Sequence, residues 1–450
     1  MREESFKQAE NKLGLIFFPA FDWEIAPAHP ERRERLLYTR DQIFEEGILD
    51  DPAINEYNPE IASRNQVEST HICAPSCEDI VSRPHLISAG GAIRAARLVE
   101  EKTVERAFAL IRPPGHHAFR VVHGARGFCT VNNEAIMVDE LLRDHPDLKI
   151  AFVDTDAHHA DGTQEIFYHN PQVLHISIHQ DGRTLFPGSG FAREAGGPGA
   201  YGRTLNVPLP PGTGDKNILF VLENLVKPIL EEFNPDLIIN AAGQDNHFSD
   251  PITNMNVTAR GYGRINEIIE PDLAVLQGGY AIESALPYVN LSVILAMAGL
   301  DYSRVKEPEL NSSNIGGEGE ISDKVKKKVN VLQDIWQSRR DIIMGDEFQL
   351  KDDHYYREKN LHYDTDNIRE RQEERVKACS RCSGFIDIKS QAKSSFPSRQ
   401  IRALILPHDC CNECKMEARE RWLKIKEQET AEYDFIAWQD KARGEYKTTS

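Results

Sequence analysis

Five times along this chain a short apolar run ends directly in a polar cluster, and that repetition limits the fold more than any other feature. Arg106-Ala-Phe-Ala-Leu-Ile111 runs into Arg112-Pro-Pro-Gly-His-His117, and Ile150-Ala-Phe-Val153 into Asp154-Thr-Asp-Ala-His-His-Ala-Asp-Gly-Thr163. Val173–Ile178 runs into His179, Leu237–Ala241 into Gly243-Gln-Asp-Asn-His247, and Leu273–Gln277 into Gly278-Gly-Tyr280. Such runs read as buried strands, with Leu13–Phe18 as an earlier one. Helical spacing fills the gaps at Gly90–Glu101, Asn132–Asp144, Ile218–Phe233 and Thr258–Glu270. Strands alternating with helices predict an α/β fold: a mostly parallel central sheet covered by helices on both faces. In such sheets ligands bind beyond the carboxyl ends of the strands, so clusters distant in sequence can converge there.

The densest cluster, Asp154–Thr163, holds three carboxylates and two imidazoles within eight residues. A solvated acidic loop is the bland alternative. Asp156 and His158 are two apart, so on an extended strand end they point to one side. One oxygen and one nitrogen ligand suit a zinc-type ion. A catalytic zinc takes three protein ligands and keeps an open position, and Asp245 is the best third. Zinc there would lower the pKa of bound water to about 7 and polarise a carbonyl. His116 and His117 follow a rigid Pro-Pro-Gly turn and would present imidazoles for proton transfer. Asp154 and Asp161 are carboxylates in the right loop to fix their tautomers. Tyr280 follows two glycines, and its hydroxyl could donate to a developing oxyanion. The loops Phe186–Gly190, Gly196–Gly199 and Pro208–Gly214 are either turn punctuation or the rigid walls of a narrow pocket. Phe128 and Phe186 would be aromatic sides of that pocket, or ordinary core.

A formal net charge of −18 argues against a nucleic-acid-binding protein as a whole, though not against a basic sub-domain. The start has no apolar leader, and the longest apolar run, Val289–Leu300, is too short to span a bilayer. A cytoplasmic or nuclear protein with no membrane contact is expected. Of the eight cysteines, five crowd into the last quarter in paired spacing, which in a reducing compartment suggests metal rather than disulfides. His71, Cys73 and Cys77 read as scattered structural residues, with a small metal cluster as the alternative. His29–Glu31 reads as a loop entering a charged helix over Arg32–Arg40.

Taken together, Arg-Pro-Pro-Gly-His-His, Gly127-Phe-Cys129 with Asn132-Asn133, Asp-x-Asp-x-His-His-x-Asp-Gly-Thr, His-Ile-Ser-Ile-His, Phe-Pro-Gly-Ser-Gly and Gly-Gly-Tyr stand in the order of one family. Over roughly residues 13–345 the chain resembles the zinc-dependent histone deacetylases, of the arginase–deacetylase fold, whose relatives include acetylpolyamine amidohydrolases. The resemblance implies a hydrolase that removes acetyl or other acyl groups from lysine side chains, or from a small acetylated amine. It implies that Asp156, His158 and Asp245 bind zinc, that His117 is general base and acid, that His116 is its electrostatic partner and that Tyr280 is the oxyanion donor. His116 would pair with Asp154, and His117 with Asp161. Phe128, Gly127 and Phe186 would line the acyl-lysine tunnel. Asp154, Asp156, His158, Ser177 and Ile178 would hold a monovalent cation such as potassium. Three positions depart from the family: Ala160 and Gln244 replace the usual Gly and Phe, and Ile252 stands where polyamine-selective relatives carry an acidic gatekeeper. A catalytically idle scaffold is a further alternative, against which the full set of ligands speaks.

Beyond about Asp301 the composition turns polar, with a loop at Asn311–Glu320 and a charged helix at Ile321–Ile343. The expected division is a catalytic domain at 1–345, a charged helical linker at 346–375, a zinc module at 376–425 and a polar tail at 426–450. Cys379-x-x-Cys382 and Cys411-x-x-Cys414 flank a predicted hairpin and suit a structural zinc with four thiolates. The segment resembles a zinc ribbon or treble clef, with Cys410 or His408 as competing ligands. It holds ten Lys/Arg against five Asp/Glu, so it could meet nucleic acid or an acidic protein, or dock on its own acidic catalytic domain.

Overall fold

The computed structural model describes residues 8–308, 310, 320–393 and 398–449. The loop expected at Asn311–Glu320 lies, apart from Glu320, outside the described residues. In chain order the strands of the larger sheet begin with β1 (Leu13–Phe18), β2 (Ile54–Tyr57), β3 (Arg106–Ile111) and β4 (Ile150–Asp154). They are followed by β5 (Val173–Gln180), β6 (Thr204–Leu209), β7 (Leu237–Ala242) and β8 (Leu273–Leu276). They form one sheet in the order β2-β1-β3-β8-β7-β4-β5-β6, with every pairing parallel. Continuous apolar runs such as Leu-Ala-Val-Leu in β8 are buried along their whole length, as a sheet covered on both faces requires. One apolar cluster packs on each face.

The covering helices begin where side chains cap them. Asn132 accepts from the Ala135 amide ahead of Asn133–Asp144, and Thr258 from Gly261 ahead of Ala259–Ile269. β6 includes Pro208, which the sequence assigns to a loop. It is an edge strand, the place where a missing backbone donor is tolerated. Among the described residues no helix is long and apolar enough to cross a membrane.

The charged linker expected at 346–375 is not helical. Residues 349–449 form a second sheet: β9 (Gln349–Lys351), β10 (His354–Tyr363), β11 (Ile368–Lys377), β12 (Ile386–Lys393), β13 (Arg399–Leu406), β14 (Phe435–Asp440) and β15 (Glu445–Thr449). Neighbours follow chain order and are antiparallel except β13–β14, which cross over through the helix Asn412–Gln428. In β11 burial alternates with period two, but Glu370, Gln372 and Glu374 are among the inward residues, so no apolar alternation marks the strand. The polar tail expected at 426–450 likewise contributes two strands, and β14 is fully buried.

This second sheet packs directly on the first unit. Ile72, Ala74 and Val121 share an apolar cluster with Val376, Ile386, Ile388 and Ile401, and Phe119 packs with Tyr363 and Ile368. Buried charges cross the same seam. Asp139 meets Lys441 at 2.6 Å and His408 at 3.1 Å. Lys359 bridges Glu165 at 2.9 Å and Glu374 at 3.2 Å. Cys73 and Cys77 are joined as a disulfide, not a metal cluster, and His71 instead bonds the Phe119 carbonyl at 2.8 Å.

Candidate active site

Because β3, β8, β7 and β4 lie side by side and parallel, the loops after all four open on one edge at the centre of the sheet. His116 and His117 follow β3, Tyr280 follows β8, Asp245 follows β7, and Asp156 and His158 follow β4. The sequence places each at a strand end, and here they meet.

One ligand atom from each of Asp156, His158 and Asp245 lies within 4.8 Å of the others, and all three residues are held deep in the protein. Backbone donors aim the carboxylates. Asp156 accepts from the amides of His158 (2.8 Å) and Gly278 (2.6 Å), and Asp245 from Ala157 (2.7 Å). His158 Nδ1 sits 2.9 Å from Asp245 and 3.2 Å from Asp156. Burial opposes charge on this imidazole, yet the two carboxylates outweigh it and push it up to about 10. That concentration of negative charge, with an imidazole nitrogen turned into it, fits a divalent zinc-type cation. A side chain at Gly243 or Gly278 would strike these carboxylates, so the glycines let the loop backbones close around the site.

The tandem histidines have separate partners. His116 Nδ1 lies 3.1 Å from Asp154, and His117 Nδ1 lies 2.7 Å from Asp161. With Nδ1–H donated to Asp161, Nε2 of His117 is left free as a base. Burial disfavours charge on both rings, but the outcome differs. Asp156 and Asp154 raise His116 to about 9, whereas His117, beside His116, is pulled down to about 3. The ring of His117 lies 6.0 Å from that of His158 and 5.1 Å from Phe186. Phe128 meets Tyr280 edge-on at 5.4 Å, at φ +72°, a left-handed conformation costly for an aromatic residue. Burial raises the Tyr280 phenol well above its ordinary value, so it stays a donor.

Ser177 pairs in register with Asp154 on β5, and Ile178 is buried beside it. Ile252 is half-buried, and its amide donates to Asp250 at 3.0 Å. Ala160 has φ −73°, so its methyl is tolerated where glycine is usual. Gln244 is buried against Asn290 at 3.0 Å.

Four supporting groups are not apparent in the sequence. Gln277 Oε1 accepts from the amides of Gly115 (2.9 Å) and His116 (3.1 Å), fixing the histidine turn. Asp250 accepts from the Tyr280 amide at 2.8 Å, and burial followed by Asp245 raises it to about 7. Glu31 joins Arg35 (2.8 Å) and Arg112 (2.7 Å) in a buried chain, and Arg35 reaches the Gly279 carbonyl and lies 4.8 Å from the Tyr280 ring. Arg126 grips Asp161 through Nε (3.0 Å) and Nη2 (2.6 Å). Only Gln277 carries a usable signal, as a polar residue closing an apolar run.

In the second sheet Cys379, Cys382, Cys411 and Cys414 converge with sulfurs within 4.8 Å of one another. The amides of Arg381 (3.4 Å) and Gly384 (3.3 Å) point at the sulfurs of Cys379 and Cys382. Cys411 caps the helix Asn412–Gln428, and Cys414 stands in its first turn. Neither competing ligand belongs to the cluster: His408 is turned to Asp139, and Cys410 packs in the adjoining apolar cluster.

A parallel α/β sheet whose edge brings an Asp–His–Asp cation site against two carboxylate-held histidines and a buried tyrosine defines a metal-assisted hydrolase. Residues 66–296 match the histone deacetylase domain. A probable deacetylase from Archaeoglobus fulgidus is 46% identical over 324 residues, which cover 66% of this chain and 89% of that protein. Histone deacetylase HDA1 of Candida albicans is 30% identical across 75% of this chain but only 46% of its own length. The crystal structure of the HDA15 HD domain superposes with a TM-score of 0.62 at 27% identity, covering 73% of this chain and 96% of that one. The chain belongs to the histone deacetylase family and is a deacetylase, a hydrolase of amides; the family's zinc dependence agrees with the Asp–His–Asp set.

Proposed function

We propose that the chain removes acyl groups from lysine side chains of proteins, with zinc held by Asp156, His158 and Asp245. The observation that carries the reading is the convergence of those ligand atoms within 4.8 Å, with the His117–Asp161 pair beside them. Zinc, when bound, supplies a Lewis acid that polarises the amide carbonyl and activates water. His117, its Nδ1 committed to Asp161, takes the water proton at Nε2 and returns it to the leaving amine. His116, paired with Asp154, is the electrostatic partner of His117. The Tyr280 hydroxyl donates to the oxyanion. Phe128, Gly127 and Phe186 grip the alkyl part of the substrate, and Ile252 lies at the rim. Asp154, Asp156, His158, Ser177 and Ile178 hold a potassium ion. Cys379, Cys382, Cys411 and Cys414 hold a structural zinc: knuckle, hairpin and helix come in treble-clef order, and the amides of Arg381 and Gly384 donate to two of the sulfurs.

The test is acetate release from an acetyl-lysine peptide, run beside acetylpolyamines and small amides, with metal content measured on each variant. His117→Ala should nearly abolish turnover, while His116→Ala retains a measurable residue. A folded, metallated His116→Ala that is the deader of the two reverses the assigned roles. Preference for acetylpolyamines over every peptide would replace the protein substrate with a small one.

A further inference from the structure

The carboxylate that orients His117 is itself held by a residue that the second sheet holds. Asp161 gives one oxygen to His117 at 2.7 Å, and the other receives both Nε and Nη2 of Arg126. Arg126 is only 7% exposed. Its guanidinium lies 4.9 Å from the Phe119 ring and 5.0 Å from Phe186, and its Nη1 donates to the His362 carbonyl at the end of β10. A guanidinium fixed by a carboxylate, two rings and a carbonyl has no rotamer freedom left, which is how a supporting group pre-sets the group it touches.

The turn carrying Arg126 is clamped from the same side. The Ala125 amide donates to Asp366 at 2.6 Å and the Gly127 amide to Asp364 at 2.9 Å. Both acceptors lie in the hairpin between β10 and β11, whose Tyr363 hydroxyl also donates to the Val121 carbonyl at 2.7 Å. Gly127 then leads into the pocket wall. A Cβ there would stand 2.5 Å from the His117 ring and 2.7 Å from Phe186, so this backbone lies directly against the histidine. The hairpin therefore reaches His117 by two routes, one through Arg126 and Asp161, the other through the backbone of Gly127.

We infer that the hairpin Tyr363–Ile368 is a positioning element of the active site, acting through Arg126 on Asp161 and His117. This rests on the assignment of His117 as general base. In the full-length protein, Arg126→Gln should lower kcat about 10- to 100-fold, the range for loss of an outer supporting contact. KM should stay within about twofold, because the step affected is proton transfer rather than binding. Arg126→Lys, which keeps the charge but loses the fork, should recover part of the loss. The exposed pair Asp364→Ala/Asp366→Ala should lower kcat in the same way while zinc content is kept, and the combined variant should lose less than the product of the two effects, because one of the two routes is shared. A purely structural tie would lower melting temperature and zinc content together, with no rescue by lysine. A folded, metallated Arg126→Gln with wild-type kcat overturns the inference, as do effects of the hairpin pair and Arg126→Gln that multiply. Should Arg126→Gln not fold, the hairpin pair alone decides by the same kcat criterion. His117→Ala separates the two claims. If it is inactive while the Arg126 and hairpin variants are normal, only the hairpin's role fails; if it turns over normally, the base assignment fails and this inference with it.

Discussion

The two sheets solve opposite problems. In the parallel sheet the four central strands are largely apolar on both faces, and the chemistry is pushed to one edge, where they end together. In the C-terminal sheet polar residues point inward along β11, and Glu374 is met both within the sheet, by Lys359, and across a seam, by His169. The first sheet is stabilised mainly by apolar burial and the second depends on its neighbour. A surface that carries paired buried ions is a poor surface to leave open, because separating such a pair exposes one charge uncompensated. The C-terminal sheet is thus a fixed part of the enzyme, although its elements hold none of the residues assigned to the reaction chemistry.

Removing the second sheet should have the largest effect. Truncation before residue 346 strips the cover from Ile72, Ala74, Phe119 and Val121 and leaves Asp139 and Glu165 without Lys441 and Lys359. The shortened protein is expected to be insoluble or inactive, measured by soluble yield and acetate release. A soluble, fully active fragment would make the seam an incidental contact between two independent units.

A single charge at the seam comes next. Asp139 is buried between Lys441 (2.6 Å), Thr70 (2.8 Å) and His408 (3.1 Å). Burial alone would raise its carboxyl, but Lys441 first and His408 second hold it below the usual carboxylate range. Lys441→Met should cost about 3–5 kcal/mol in urea unfolding, the range for removing one partner of a buried ion pair. Adding Asp139→Asn should return much of that loss, since the stranded charge is then gone. Equal losses in the single and double variants would show that packing, not charge, holds the seam.

How far each sheet can be read from sequence follows from the same contrast. The continuous apolar strands announce themselves, and a polar cluster after each one locates the site, so Asp156, His158, Asp245, His116, His117 and Tyr280 are legible from residue pattern alone. β11 is not, because Glu370, Gln372 and Glu374 point inward where apolar residues would mark a strand: Glu370 is met close by in the chain by Tyr363 and Gln372, but Glu374 is met by His169, 205 residues away. Arg126 escapes for a related reason: its neighbours Val121–Ala125 have no clear period, and its anchor, His362, comes 236 residues later. Local pattern reveals what a strand does for itself. It does not reveal what one sheet does for another.

The smallest expected effect concerns pH and probes the seam from the catalytic side. His71 precedes Ile72 and Ala74, which pack against the second sheet. Its Nδ1–H donates to the Phe119 carbonyl at 2.8 Å, and its Nε2 accepts from the Asn132 amide at 2.9 Å, so the folded protein uses the neutral ring. Burial lowers this imidazole to about 4, against an ordinary 6.5. The unfolded chain therefore takes up the proton first as pH falls. Stability contributed by the neutral ring is complete above about 6.5, declines from there towards 4 and is exhausted below it. Between pH 7 and 5 this single group should account for about 2 kcal/mol, at 1.36 kcal/mol per pH unit below 6.5. His71→Gln, which can keep a donor and an acceptor, removes that dependence. His85 and His175, also lowered by burial, are present in both proteins and cancel in the comparison. Urea unfolding at pH 7 and pH 5 should show a shallower fall for His71→Gln than for the wild type. Equal falls would mean that the seam opens enough at pH 5 to admit the proton, which would place the weak point of the two-sheet junction at His71.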